Sequence, residues 1–442
     1  MIRGSFCGMI ALVLASGVFS IRLHAGTRGD DPNRQVTIGA NGQVSKPRSQ
    51  VTHREVTLAA DPKHPERLLA ASLTSPLPKD PDYYEVVTYL SLDDGKTWML
   101  TQEHKRVREG EAYSDPSVVY GADGAAYLVD FGKDFHKSEG AHLDLSRSQD
   151  GGKTWAPAFV MEENSDRPFL AVDRSTGKYQ GRIYCIRNVQ AALLNSFSSD
   201  NGKTFQKRRW NLPGGTFGMG NPAIDSQGTL IVPYPTHAAP HQVMVGRSVD
   251  GGETLLPTVW VGTCRGCEYS GLPSLAVDTE SQAYKNCLYL VWADDTGNGI
   301  HVLFARSLDQ GATWSRPTLL SEQPEGPTRA YDAYLPTIAT NKSGVVGVCW
   351  YDTRHVPADK QGWQIRFRAS RDGGATWLPS VRVSEVDCAF GKAEKPESVF
   401  AGDTAGLCAD GNGVFHALWV DNRTGVLQVW TAPITVQNPV SK

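Results

Sequence analysis

The sequence predicts an all-β protein: a seven-bladed β-propeller of four-stranded blades, its ring closed by an N-terminal strand. Three observations carry this. One eight-residue turn phrase occurs six times, a longer strand–hairpin–strand phrase occurs seven times, and the composition is rich in turn formers. With 44 Gly and 26 Pro in 442 residues and only 21% charged residues, the chain is punctuated for many short strands rather than long helices.

The short phrase is Ser, any residue, Asp, any, Gly, any, Thr, aromatic. It runs Ser91–Trp98, Ser148–Trp155, Ser198–Phe205, Ser248–Leu255, Ser307–Trp314 and Ser370–Trp377. Its aspartates, Asp93, Asp150, Asp200, Asp250, Asp309 and Asp372, are separated by 57, 50, 50, 59 and 63 residues, the length of one blade with variable loops. Turn physics explains the composition. An Asp carboxylate can accept amide N–H bonds from a tight turn, Gly allows positive φ, Thr adds a hydroxyl, and the last side chain packs on the blade core. These six aspartates are therefore expected to be structural.

The longer phrase sets the blade count. Its copies begin at Glu55, Asp115, Asp166, Asn221, Leu272, Leu335 and Asp403. The seventh continues into Val426–Ala432 and then Pro433, without a turn phrase, so it lacks a fourth strand. The isolated strand Arg34–Ala40 can supply one and hide the open edge. Six blades plus an extra hairpin is the alternative.

The ends divide the chain further. Arg3 followed by the apolar run Phe6–Phe19 reads as an export signal, too short to span a bilayer, with Ala25 or Ser20 as the cleavage point. The expected layout is a signal peptide at 1–25, an N-terminal segment with the closing strand at 26–52, the propeller at 53–434 and a tail at 435–442. The protein is thus expected to be secreted or periplasmic, without a membrane span, and monomeric. A formal charge of −3 offers no basic face for nucleic acid. Seven cysteines remain after cleavage, an odd number, so disulfides are possible but are not the framework.

The six turn phrases resemble the Asp box, the repeat of bacterial neuraminidases, and the resemblance covers Val36 to Ile434. It implies a sialidase-like glycoside hydrolase acting on a terminal acidic sugar of a glycan, with its site on the face opposite the Asp-box turns. Carried onto this chain, it offers Arg167, Arg354 and Arg423 as the grip on a substrate carboxylate, with His355 beside them. Tyr331 or Tyr334 would be the nucleophile, and Asp166, Asp332 or Asp352 the acid/base. The Trp350–Arg354 and Trp419–Arg423 segments look like parallel positions in adjacent blades, where an Asp–Arg pair could also tie the blades together. Asp403 belongs to the same face. The Arg-Ile-Pro of sialidases is absent from the first inner strand; Arg54 precedes Glu55 there, and Arg167-Pro168 stands in blade 3 instead.

One other constellation carries chemistry. His237 and His241 fall in a loop of blade 4, and Cys264 and Cys267 in the next crossing. Two His and two Cys at these spacings suit tetrahedral zinc, against a local Cys264–Cys267 disulfide in an exported protein. No other cofactor is implied. A non-catalytic propeller binding glycan or protein and a polysaccharide lyase using His and Tyr are the alternative functions.

Overall fold

The computed structural model describes residues 35–75, 84–104, 111–134, 141–162, 165–266, 271–322, 331–394 and 399–437. The signal-peptide segment, Cys267 and the last five residues lie outside them. Seven antiparallel sheets follow one another along the chain, each with four consecutive strands except the last, and the sixth adds a short fifth strand, Cys388–Gly391, paired with its third. Blade 1 is typical, with Thr52–Ala60 innermost, then Leu68–Ser75, Glu85–Ser91 and Met99–His104.

The seventh blade takes Gly406–Ala409, Phe415–Asp421 and Gln428–Val436 from the C-terminal end and Val36–Ile38 from the N-terminal end. Val36 pairs with Val436 and Ile38 with Ile434. The N-terminal segment then continues along the same strand. The Gly39 amide donates to the Pro433 carbonyl at 2.8 Å, Gly42 and Gln43 pair with Thr431 and Trp430, and the Val44 amide reaches Val429 at 2.9 Å. Seven blades, not six, close the ring. With the closing strand included, the seven sheets span Val36 to Val436.

The repeated turn is the same in all six copies. Ser Oγ donates to Asp Oδ1 at 2.7–2.9 Å and accepts the Gly amide at 2.7–2.9 Å. Asp Oδ1 also accepts the Thr amide at 2.8–3.0 Å, and Oδ2 accepts the Thr hydroxyl at 2.5–2.7 Å. The fifth-place glycines all have positive φ, from 77° at Gly374 to 96° at Gly152. Slight burial pushes the Asp150 carboxyl up, but bonds from Thr154 and Ser148 outweigh it and hold the group at about 2.

The final side chain of each phrase does more than cover its own blade. Trp155 packs on a cluster made by blades 1 and 2, Phe205 on blades 2 and 3, and Leu255 on blades 3 and 4. Trp314, Trp377 and Trp98 continue the series around the ring. The core therefore lies between blades, and each turn wedges one apolar group against the preceding blade. Ser248→Ala would leave the buried Gly252 amide without its acceptor. The expected loss is about 1–3 kcal/mol, read as a lower urea midpoint with an unchanged slope.

Candidate active site

Antiparallel order puts the inner-strand starts on the face away from the turns. Four of these starts carry the same distortion. The pairing of first and second strands slips between Arg54 and Val56, Ser114 and Ser117, Asp166 and Phe169, and Tyr334 and Thr337. Inside each slip one residue takes a left-handed backbone: Glu55 at φ 50°, Asp115 at 51°, Arg167 at 50° and Leu335 at 48°. A bulge re-aims a side chain at the cost of local strain, and such strain collects at functional sites. A central channel of about 740 Å³ is lined by all seven inner strands, with Leu335 of this group and Asp403 of blade 7 among the lining residues.

Three of the four bulge residues, with Asp403 of blade 7, form a charge cluster. The Arg167 guanidinium reaches from blade 3 to Asp403 of blade 7 at 2.6 Å, with blades 1 and 2 on one side and 4 to 6 on the other. Glu55 of blade 1 accepts the Asp115 amide of blade 2 at 3.2 Å. The Ser114 hydroxyl donates to Asp115 at 3.1 Å, and the Arg167 amide donates to the exposed Asp166 carboxylate at 3.0 Å. Gly402 makes the close approach possible: a Cβ there would lie 2.5 Å from the Glu55 amide nitrogen.

Glu55, Asp115, Arg167 and Asp403 are each half-buried. Burial, then the Asp403 charge, pushes the Glu55 carboxyl up to about 7 against the pull of the Asp115 amide and Arg167. Asp115 is raised well above the ordinary range by burial and by Glu55 and Asp166. Burial would lower Arg167, but the surrounding carboxylates raise it. Four carboxyl groups around one guanidinium cannot all ionise cheaply, so the cluster retains protons near neutrality. A half-buried carboxyl pushed up to about 7 has the properties of a general acid/base.

The residues expected from sequence distribute differently. Asp166 and Arg167 join this cluster. Asp352 is buried and closes on its own loop, accepting Trp350 Nε1 at 2.9 Å and Arg354 Nε at 2.8 Å. Asp421 does the same with Trp419 and Arg423, at 2.9 Å each. These parallel Trp–Asp–Arg units correct the expected interblade Asp–Arg tie, because each pair closes within its own loop. Arg354 also stacks on Tyr331 at 4.7 Å and Arg423 on Trp430 at 3.9 Å. Arg354 and Arg423 thus belong to clusters separate from Arg167.

Tyr331 is buried, and its hydroxyl donates to the Glu322 carbonyl. Burial raises the hydroxyl of Tyr331, and raises that of Tyr334 well above its ordinary value. Neither shift is that of an activated nucleophile. Asp332 accepts the Ile300 amide of blade 5 at 3.0 Å, an interblade tie. His355 is exposed.

The expected zinc set is corrected as well. Cys264 is buried and disulfide-bonded, so its sulfur is not available as a thiolate. His241 Nδ1 lies 2.9 Å from the Thr236 carbonyl, and His237 is exposed.

Glu55 and Asp115 escaped the site reading, although they open the first and second copies of the longer repeat. Their equivalent places in the repeat, shared with Asp166 and Asp403, are the signal that groups them with Arg167 and Asp403.

No family model matches the chain, and no curated protein matches it. Solved structures do. A protein of unknown function from Dyadobacter fermentans aligns at a TM-score of 0.53 and 12% identity, over 91% of this chain and 100% of that one. The NanB sialidase of Streptococcus pneumoniae gives 0.52 at 11% identity, over 80% and 71%. A leech intramolecular trans-sialidase, complexed with 2,7-anhydro-Neu5Ac, gives 0.52 at 13%, over 71% and 67%. At such identities the likeness shows the fold. The fold is a seven-bladed propeller, and Glu55, Asp115, Arg167 and Asp403 form a charge cluster at the starts of its inner strands.

The raised Glu55 carboxyl fixes a sign. The folded chain holds this proton more tightly than the unfolded chain, whose carboxyl titrates near 4.5. Stability contributed here is full below that value and is lost as pH rises through about 7. Glu55→Gln removes that loss. Thermal midpoints from acid to neutral pH should fall less in the variant than in the wild type.

Proposed function

We propose that the protein is an exported glycoside hydrolase that uses the carboxyl groups of this cluster. The observation that carries the reading is the half-buried Glu55 carboxyl, pushed up to about 7 in a cluster with Asp115, Arg167 and Asp403, of which Asp403 lines the central channel. In its protonated form Glu55 donates to the leaving glycosidic oxygen. Asp403, paired with Arg167 at 2.6 Å, supports the positive charge that develops on the sugar ring or orients the attacking water. The N-terminal signal-like segment and the disulfide at Cys264 support export, because disulfides persist in oxidising compartments.

The charge balance favours a neutral sugar. Arg167 is engaged by Asp403, and Asp166, Asp115 and Glu55 leave the cluster rich in carboxyl groups. A terminal acidic sugar, the sialidase-like reading, would need free guanidinium groups. Arg354 and Arg423 are each closed on an aspartate, so that reading has less support. A panel of chromogenic neutral glycosides with a sialoside tests the choice. Turnover is expected on a neutral glycoside, falling above a pH of about 7. Glu55→Gln should lower kcat by about 100-fold or more. Failure of every glycoside, with glycan binding unchanged in Glu55→Gln, would leave a binding propeller; turnover of the sialoside alone would restore the acidic-sugar reading.

A further inference from the structure

A second cluster lies away from the channel, between blades 1 and 2. His104 ends the outer strand of blade 1, Met99–His104. Asp130 and Asp144 are direct cross-strand partners in blade 2, on Ala126–Asp134 and His142–Ser148, so their carboxylates leave the same sheet face. The His104 ring stands between them, Nδ1 at 3.0 Å from Asp130 Oδ2 and Nε2 at 3.1 Å from Asp144 Oδ2. One ligand atom from each of the three residues lies within 4.8 Å of the others. His142 brings Nε2 to 3.8 Å from Asp144 Oδ2.

The surroundings shape this place. Tyr113 stacks on the His104 ring at 3.9 Å. Opposite His142 stands Gly132, where a Cβ would lie 2.4 Å from His142 Nε2 and 2.8 Å from Tyr113 Cε1. Asp130 is 0% exposed and Asp144 5%, yet Oδ1 of each has no hydrogen-bond partner. Two buried carboxylates with one imidazole leave excess negative charge, and a buried carboxylate oxygen without a donor is costly. Such oxygens call for a cation.

We infer that this cluster is a zinc site, with His104, Asp130 and Asp144 as the protein ligands and His142 at its edge. The imidazole selects against calcium and magnesium, which take oxygen ligands, and a His/Asp set suits zinc. His104 offers one ring nitrogen and each aspartate one carboxylate oxygen to the ion. The ion joins the outer edge of blade 1 to the middle of blade 2 and is independent of the Glu55 cluster.

The full-length protein, stripped with chelator and dialysed, tests this by calorimetric titration with zinc chloride and by thermal melting with and without zinc. One zinc per chain and a raised thermal midpoint are expected. Asp130→Asn and His104→Gln should each weaken binding by about 10-fold or more, and His237→Ala, at an exposed histidine, should not. Should a variant fail to fold, the visible absorption of cobalt bound to the stripped wild type reads the ligand set directly. No saturable binding to the wild type, or binding lost only in His237→Ala, would overturn the assignment.

Discussion

The structure depends on the pairing of Val36–Ile38 with Ile434–Val436. Each blade buries its sheet faces only against its two neighbours, so an open ring would leave two faces and one strand edge in water. The largest apolar cluster lies where the ends meet, joining Val36 and Val44 to Trp363, Trp419 and Trp430. Asn41 locks the same seam through polar contacts, its side chain donating to the Val383 carbonyl at 3.0 Å and accepting from the Glu385 amide at 2.8 Å. Closure also fixes the width of the channel. Only in a closed ring do blades 3 and 7 stand where Arg167 can meet Asp403.

Around that channel the fold places local strain and charge together. Four inner strands give up regular pairing at their starts and hold non-glycine residues at positive φ. On the opposite face the six turns are fully satisfied, with the serine, aspartate and threonine of each copy bonded to one another or to backbone. One face is optimised for stability and the other is not, as expected where a site is carried on a rigid scaffold.

What the sequence made legible follows from range. The turns were readable because all their partners lie within eight residues, and the blade count because the longer phrase recurs. Closure could be read because Val36–Ile38 had no other partner nearby. The inner-strand cluster was not readable as a cluster: Glu55 and Asp115 meet across 60 residues, and Arg167 and Asp403 across 236. Adjacency in sequence misled in the opposite direction. Arg354 and Arg423 follow their aspartates by two residues, and that nearness lets each guanidinium fold back onto its own carboxylate instead of toward a shared ligand. The Cys264 disulfide overturned a metal reading that spacing alone had left open.

The two acidic clusters show how solvation decides what similar residues can do. At the inner-strand starts Glu55, Asp115 and Asp403 are half-buried, so protons can enter and leave and a carboxyl can be poised near neutrality. Between blades 1 and 2, Asp130 and Asp144 are shut away from water, and two of their oxygens have no donor at all. A wet cluster can answer its excess charge by exchanging protons with solvent. A dry one needs a fixed positive partner, and the imidazole of His104 between two carboxylates supplies only part of it. The same excess of carboxylate therefore favours acid/base chemistry in one place and a bound cation in the other.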